Sequence, residues 1–254
     1  MIQVKVSSKE FQTYISAILN VDRSGVTLKI FPDYIEALVL SEDNSSIILY
    51  TKLNILEISG MEKEEEIIHL KDLTKFQRLL DMNEDDTFTF SINGNHVYYE
   101  NSTVKGAKFM LADRASRVVN DRVNVEWFNR FVKKSKMIID KATVKKIIQC
   151  SSFTSNDANK VYLYQDGSKV VAEINDRTKN NLDNMSIYIG ELESGSLDGK
   201  VIVNVATLSR LFLADEMTLE TSSIGQGVSQ TEILFLSYTN DNVSVRYLLN
   251  TLRS

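Results

Sequence analysis

A single cysteine, Cys150, has no second cysteine in the chain to pair with, so no internal disulfide forms and a reducing, cytoplasmic setting is expected. Cys150 follows Ile147 and Ile148 near a helix end, with no histidine nearby in sequence, and reads as a small buried residue rather than a nucleophile. Histidine is almost as scarce: His69 and His96 each stand between strand-like residues, and no Cys or His cluster has metal-ligand spacing. Phosphate-cradling loops are missing, since no Walker-type glycine run and no G-x-G-x-x-G after a strand occurs. "SIGQGVSQ" (223–230) links two strand-like runs and reads as a loop. No stretch approaches the roughly 20 apolar residues of a membrane-spanning helix. "MIQVKVSSKE" has no apolar run before a small-residue cleavage site, so no signal peptide is expected. Positive charge is in deficit as well: 29 Lys and Arg against 34 Asp and Glu leave a net charge of −5. That deficit argues against a protein that coats nucleic acid with its whole surface, without excluding a local basic lining. These absences build no active site, and the expectation is a non-enzyme without cofactor or metal.

What is present is an ordinary globular composition, 43% hydrophobic and 25% charged, in a chain long enough for one large domain or two average ones. Within it, "KDLTKFQRLL" (71–80) places Leu73, Phe76, Leu79 and Leu80 on one face of a short helix and Lys71, Lys75 and Arg78 on another. A weak internal repeat contains the same stretch. "IIHLKDLTKFQRLL" (67–80) lies over "IVNVATLSRLFLAD" (202–215), and "GVTLKI" (25–30) over "KVYLYQ" (160–165). "VKVSSKEFQTYISAIL" (4–19) lies over "MIIDKATVKKIIQCSS" (137–152). "HVYYENSTVKGAKFMLA" (96–112) and "EILFLSYTNDNVSVRYLLN" (232–250) each read as strand, turn, strand. Identity is low, so the order of elements carries the repeat. The expectation is α+β: two similar β-rich domains, each with two short helices packed on antiparallel sheet, at 1–117 and 135–254, joined by a connecting segment at 118–134.

Each helix presses one stripe against a sheet and leaves the other wet. In "SSKEFQTYISAIL", Ser7 and Glu10 have capping-box spacing, with Phe11, Tyr14, Ile15 and Ile18 on one side. In "DKATVKKIIQC", Asp140 is the expected N-cap, Val144, Ile147 and Ile148 are expected to be buried, and Lys141 and Lys145 turn away. Wet bases recur in matching positions: Lys71, Lys75 and Arg78; Lys141, Lys145 and Lys146; and Arg210, with Lys9 a weak member offset by Glu10. Acids gather instead in the connections, at 62–66, 81–86 and 191–198.

This order of elements resembles the DNA polymerase sliding clamps. The likeness is to the phage (bacteriophage) processivity clamps and, in length, to the proliferating-cell-nuclear-antigen type of archaea and eukaryotes. The resemblance implies a DNA-clamp fold in which three subunits close into a homotrimeric ring, helices lining the hole and sheets forming the wall. It implies a non-enzymatic processivity factor that encircles double-stranded DNA without reading sequence. An ATP-dependent clamp loader would open the ring, DNA polymerase would be tethered to it, and a phage-encoded protein would work in the host bacterial cytoplasm. Lys9, Lys71, Lys75, Arg78, Lys141, Lys145, Lys146 and Arg210 would face DNA, giving salt-sensitive attraction to phosphates. No stacking aromatics interleave with these bases, which argues against a single-strand binder. The alternative is a monomeric clamp-like viral processivity subunit holding DNA by one basic face; the net charge of −5 weighs against it. Edge strands would pair between subunits, with "TVKGAKFMLA" (103–112) meeting the region 147–164.

Between the repeats, "DRASRVVNDRVNVEWFNRFVKKSK" (113–136) is longer than a usual connection. Clamps of this type carry an interdomain loop here beside a hydrophobic pocket for partner peptides. Trp127, Phe128 and Phe131 are expected to form an extra amphipathic turn packed as core, the alternative being that Trp127 helps form the pocket. By position in the resembled fold, Leu40, Ile47, Leu252 and Arg253 are the other pocket residues.

Overall fold

A computed structural model of the chain describes residues 1–41, 47–112, 125–154, 160–174, 184–224 and 231–251, with only the backbone at Val125, Trp127 and Thr231. It divides into two compact units. The first holds Met1–Asn44, Ile48–Val125 and Thr239–Arg246; the second holds Ser45–Ile47, Glu126–Tyr238 and Tyr247–Ser254.

The chain first runs through β1 (Ile2–Ser7), α1 (Ser8–Leu19), β2 (Gly25–Ile30), β3 (Tyr34–Leu40), β4 (Ile47–Asn54) and β5 (Glu57–Ser59). It continues through β6 (Glu66–Lys71), α2 (Leu73–Asp81), β7 (Thr87–Asn93), β8 (His96–Tyr99) and β9 (Ala107–Met110). After the connection come α3 (Val125–Asn129), β10 (Ser135–Asp140), α4 (Lys141–Thr154), β11 (Lys160–Asp166), β12 (Lys169–Ile174) and β13 (Met185–Glu191). The last elements are β14 (Ser194–Gly195), β15 (Val201–Asn204), α5 (Val205–Leu211), β16 (Glu216–Ile224), β17 (Thr231–Thr239) and β18 (Val243–Asn250).

In the first unit one sheet has the order β5-β1-β7-β8-β9 and a second runs β4-β3-β2-β6. The second unit repeats both orders, as β14-β10-β16-β17-β18 and β13-β12-β11-β15. Element order, rather than residue identity, was the sign of the repeat, and these strand orders match one for one. The last strand is shared: Val243–Arg246 counts with the first unit and Tyr247–Asn250 with the second.

Period-two patterning explains the sheets. Along "TFTFSIN" in β7, Phe88, Phe90 and Ile92 are buried while their neighbours are not. Period-three-to-four patterning explains the helices: α1 buries Phe11, Tyr14, Ile15 and Ile18, and α2 buries Leu73, Phe76, Leu79 and Leu80. Where these faces meet, the first unit has an aromatic core. Phe11 lies 5.8 Å from Phe90 and 6.1 Å from Phe76, Phe76 lies 5.4 Å from Phe109, and Phe88 stacks on Tyr99 at 4.4 Å. Burying each such ring stabilises the fold by about 1.5–3 kcal/mol, so these rings hold the helix pair on the sheet. The second unit uses aliphatic side chains for the same job, with Val144 and Ile147 of α4 and Val205, Leu208 and Leu211 of α5 buried.

Two local expectations change. Ile148 is 37% exposed, because Ile147 takes the inward position and the next residue is rotated about 100° around the helix. Ser7 and Glu10 do not form a reciprocal cap: the Ser7 hydroxyl donates to the Glu10 carboxylate and caps no backbone N–H. Asp86 takes over that work, its carbonyl accepting from Ser8 N–H at 2.9 Å.

Candidate functional site

The two helix pairs begin in the same ways in both units. Asp72 caps α2, its carboxylate accepting from Lys75 N–H at 3.1 Å, and Asn204 caps α5, accepting from Thr207 N–H at 3.1 Å. The loop after the second helix caps the first: Asp86 carbonyl holds Ser8 N–H, and Asp215 carbonyl holds Lys141 N–H at 2.8 Å. Asp140 also accepts from Thr143 N–H at 2.6 Å, and the Thr143 hydroxyl and backbone N–H together hold its carboxyl below the usual range. Asp72 sits at φ 57°, a left-handed conformation that separates strand from helix and removes Lys71 from α2. Lys71 is therefore the last residue of β6, not a helical one.

The wet stripes carry the bases. Lys9 on α1, Lys75 and Arg78 on α2, Lys141, Lys145 and Lys146 on α4, and Arg210 on α5 are all exposed, as is Lys71. Within the first unit α1 packs on α2, and within the second α4 packs on α5. Each pair thus offers bases on the side away from its buried stripe. Such a surface attracts polyanions by charge alone, without base-specific geometry.

Asn83 locks the first pair. Its amide nitrogen donates to Ser8 Oγ at 2.7 Å and to Asp85 carbonyl at 2.8 Å, while its amide oxygen accepts from Tyr99 Oη at 2.7 Å. One side chain at the end of α2 therefore ties the start of α1 to β8. In the sequence Asn83 stood out only as part of an acidic loop.

On β3 and β4 the register places Leu40 directly opposite Ile48 and Leu38 opposite Tyr50. Directly opposed residues share a face, so Ile48 joins Leu40. Ile47, itself 3% exposed, alternates to the other side of β4. Of the other sequence-chosen pocket residues, the Trp127 side chain, Leu252 and Arg253 lie outside the described residues. Phe128 is buried at 3% exposure, and Phe131 packs on Phe235 at 5.5 Å.

Among the described residues, β9 and β13 stand at sheet edges, as do β5, β6, β14 and β15. β9 ends one sheet of the first unit and β13 ends one sheet of the second. Met110 on β9 is 56% exposed and Tyr188 on β13 is 62% exposed. β11, which lies in the region expected at the subunit joint, is bonded on both sides, by β12 and β15. It has no edge to offer.

No helix among the described residues is long and apolar enough to cross a membrane. No protein-family model and no curated protein sequence matches the chain. Solved structures do match in fold. A. fulgidus PCNA, seen bound to the C-terminal region of FEN-1, aligns at TM-score 0.74 and 14% identity over 100% of this chain and 99% of its own. Proliferating cellular nuclear antigen from Entamoeba histolytica aligns at 0.74 and 12% identity over 99% of each chain. A chain of the PCNA2-PCNA3 complex from Sulfolobus tokodaii aligns at 0.68 and 16% identity over 98% of each. The chain has the sliding-clamp fold.

Proposed function

We propose that the protein is a sliding clamp: a non-enzymatic processivity factor whose copies close into a ring around duplex DNA and tether a DNA polymerase. The observation that carries this reading is the recurrence of basic, uncovered helix stripes in both repeats of a chain whose net charge is −5. A clamp needs many weak phosphate interactions and no strong one, because a strong one would stop it sliding. Lys9, Lys71, Lys75, Arg78, Lys141, Lys145, Lys146 and Arg210 supply that attraction in this reading. Acids in the connections discourage DNA from the outside.

The repeat supports ring closure. In the first unit β18, through Val243–Arg246, lies beside β4, with Asn54 N–H donating to Asn242 carbonyl at 2.7 Å and Thr51 Oγ1 to Ser244 carbonyl at 3.0 Å. By strand order, β9 corresponds to β18 and β13 to β4. The same joint formed between copies pairs the β9 edge with the β13 edge, satisfying both. We take three copies, as the sliding-clamp resemblance implies. A clamp loader opens this joint, and polymerase peptides dock on the Leu40 face, with Trp127, Leu252 and Arg253 as further docking residues. FEN-1 binding through its C-terminal region by the A. fulgidus protein supports peptide capture of this kind.

The test has two arms. Mass in solution separates a ring of three from a monomer, and a monomer would favour the one-face alternative. Loading on nicked circular DNA, then linearising it, asks whether retention is topological. The triple variant Lys75→Glu, Arg78→Glu, Lys145→Glu is expected to melt like wild type but load poorly. Its log–log salt dependence should flatten by about 0.9 for each phosphate that is no longer neutralised. Equal retention of variant and wild type at physiological salt would remove the DNA-facing assignment.

A further inference from the structure

We infer that the outward face of β2, β3 and β4 selects an acidic partner peptide, one whose apolar anchors are flanked by carboxylates. This names the partner class for the peptide-docking half of the proposed function and rests on that half, not on the ring. Three cross-strand rows define the face. Leu40 lies opposite Ile48, Leu38 opposite Tyr50, and Glu36 is flanked by Lys52 on one side and Lys29 on the other. In the first two rows Leu38 and Leu40 are half-buried and offer apolar surface for anchors, over the buried Ile48 and Tyr50. The third carries two cations around one acid, and a third cation, Arg246 of β18, acts on the Tyr50 phenol.

The single acid on these rows is already engaged. Tyr50 Oη donates to Glu36 Oε2 at 3.2 Å. Neither Lys29 nor Lys52 forms an ion pair among the described residues. The Lys52 ammonium is held in place instead, 3.8 Å from the centre of the Tyr34 ring, which stacks on Phe31 at 4.6 Å. A cation fixed in this way loses little freedom when a carboxylate reaches it, so complementarity converts to affinity efficiently. Asp33 stands in the β2–β3 turn, at the end of the strip farthest from Leu40. Lys29 and Lys52 against Glu36 leave 2 − 1 = +1 beside the apolar rows, in a chain that is acidic as a whole. A basic peptide is repelled there and a neutral one gains only its anchors.

The experiment uses the full-length protein without DNA and a fluorescein-labelled synthetic peptide carrying Leu and Phe anchors between Asp residues. Two control peptides replace Asp with Asn or with Lys. At low salt the Asp peptide is expected to bind about tenfold tighter than the Asn peptide, and the gap should close as salt rises. Lys29→Glu with Lys52→Glu should erase the gap and turn preference toward the Lys peptide while leaving thermal melting unchanged. Leu40→Asp should weaken all three peptides. Equal affinities, no binding, persistence of the gap in the double variant, or competitive displacement by a duplex oligonucleotide would each overturn the inference. A protein that runs as a monomer yet prefers the Asp peptide would remove the ring and keep this site.

Discussion

Replacing Tyr14 with phenylalanine should stabilise the protein. Tyr14 lies on the buried stripe of α1 at 0% exposure, 6.2 Å from the Phe11 ring, and its hydroxyl has no hydrogen-bond partner among the described residues. A hydroxyl taken out of water and left unpaired costs about 1–3 kcal/mol. Phenylalanine keeps the ring packing and removes only the oxygen, so the void left is smaller than a methyl group and offsets a fraction of the gain. The net expectation is about 1 kcal/mol of added stability, which for units of this size raises Tm by about 2–4 °C. Urea unfolding followed by far-ultraviolet circular dichroism reads it as a higher midpoint at unchanged slope. A loss of about 1 kcal/mol or more would refute the reasoning, because it would mean that the hydroxyl is satisfied in solution.

Asn83→Ala should lower stability by about 1–3 kcal/mol, since it strips partners from Tyr99, Ser8 and the Asp85 carbonyl at once. Faster hydrogen exchange at the first amides of α1, without change in β12, is the matching local readout. Alkali should destabilise the protein. Burial, then the Glu36 charge, pushes the Tyr50 phenol well above its ordinary value of 10.0, so its stabilising contribution is whole below pH 10.0 and is lost progressively as pH rises from there toward the raised value of the folded state. The urea midpoint should fall between pH 9 and pH 11 less steeply for Tyr50→Phe than for wild type, and parallel slopes would count against the assignment.

The amphipathic order was legible from residues alone because helix and strand periods differ and each repeat writes both. The aromatic stripe Phe11, Tyr14, Ile15, Ile18, the alternating "TFTFSIN" and the basic stripes of α2 and α4 all follow from spacing, and the structure buries or exposes them accordingly. The shared element order of the halves was enough to suggest two units of one pattern. Register was beyond reach, because a one-residue step in a strand reverses which face a side chain takes. That is why Ile48 rather than Ile47 stands opposite Leu40. The left-handed backbone of Asp72, at φ 57°, decided that Lys71 ends a strand; whether a helix continues one residue further depends on that dihedral, which periodicity does not record. Sheet order decided which edges stay open. β11 and β13 look alike in composition, yet only hydrogen bonding to β12 and β15 closes both sides of one and leaves the other with an unpaired row. The strip of Lys29, Lys52 and Arg246 exists only in three dimensions, because its residues are up to 217 positions apart (246 − 29) and nothing local in a sequence brings distant strands side by side.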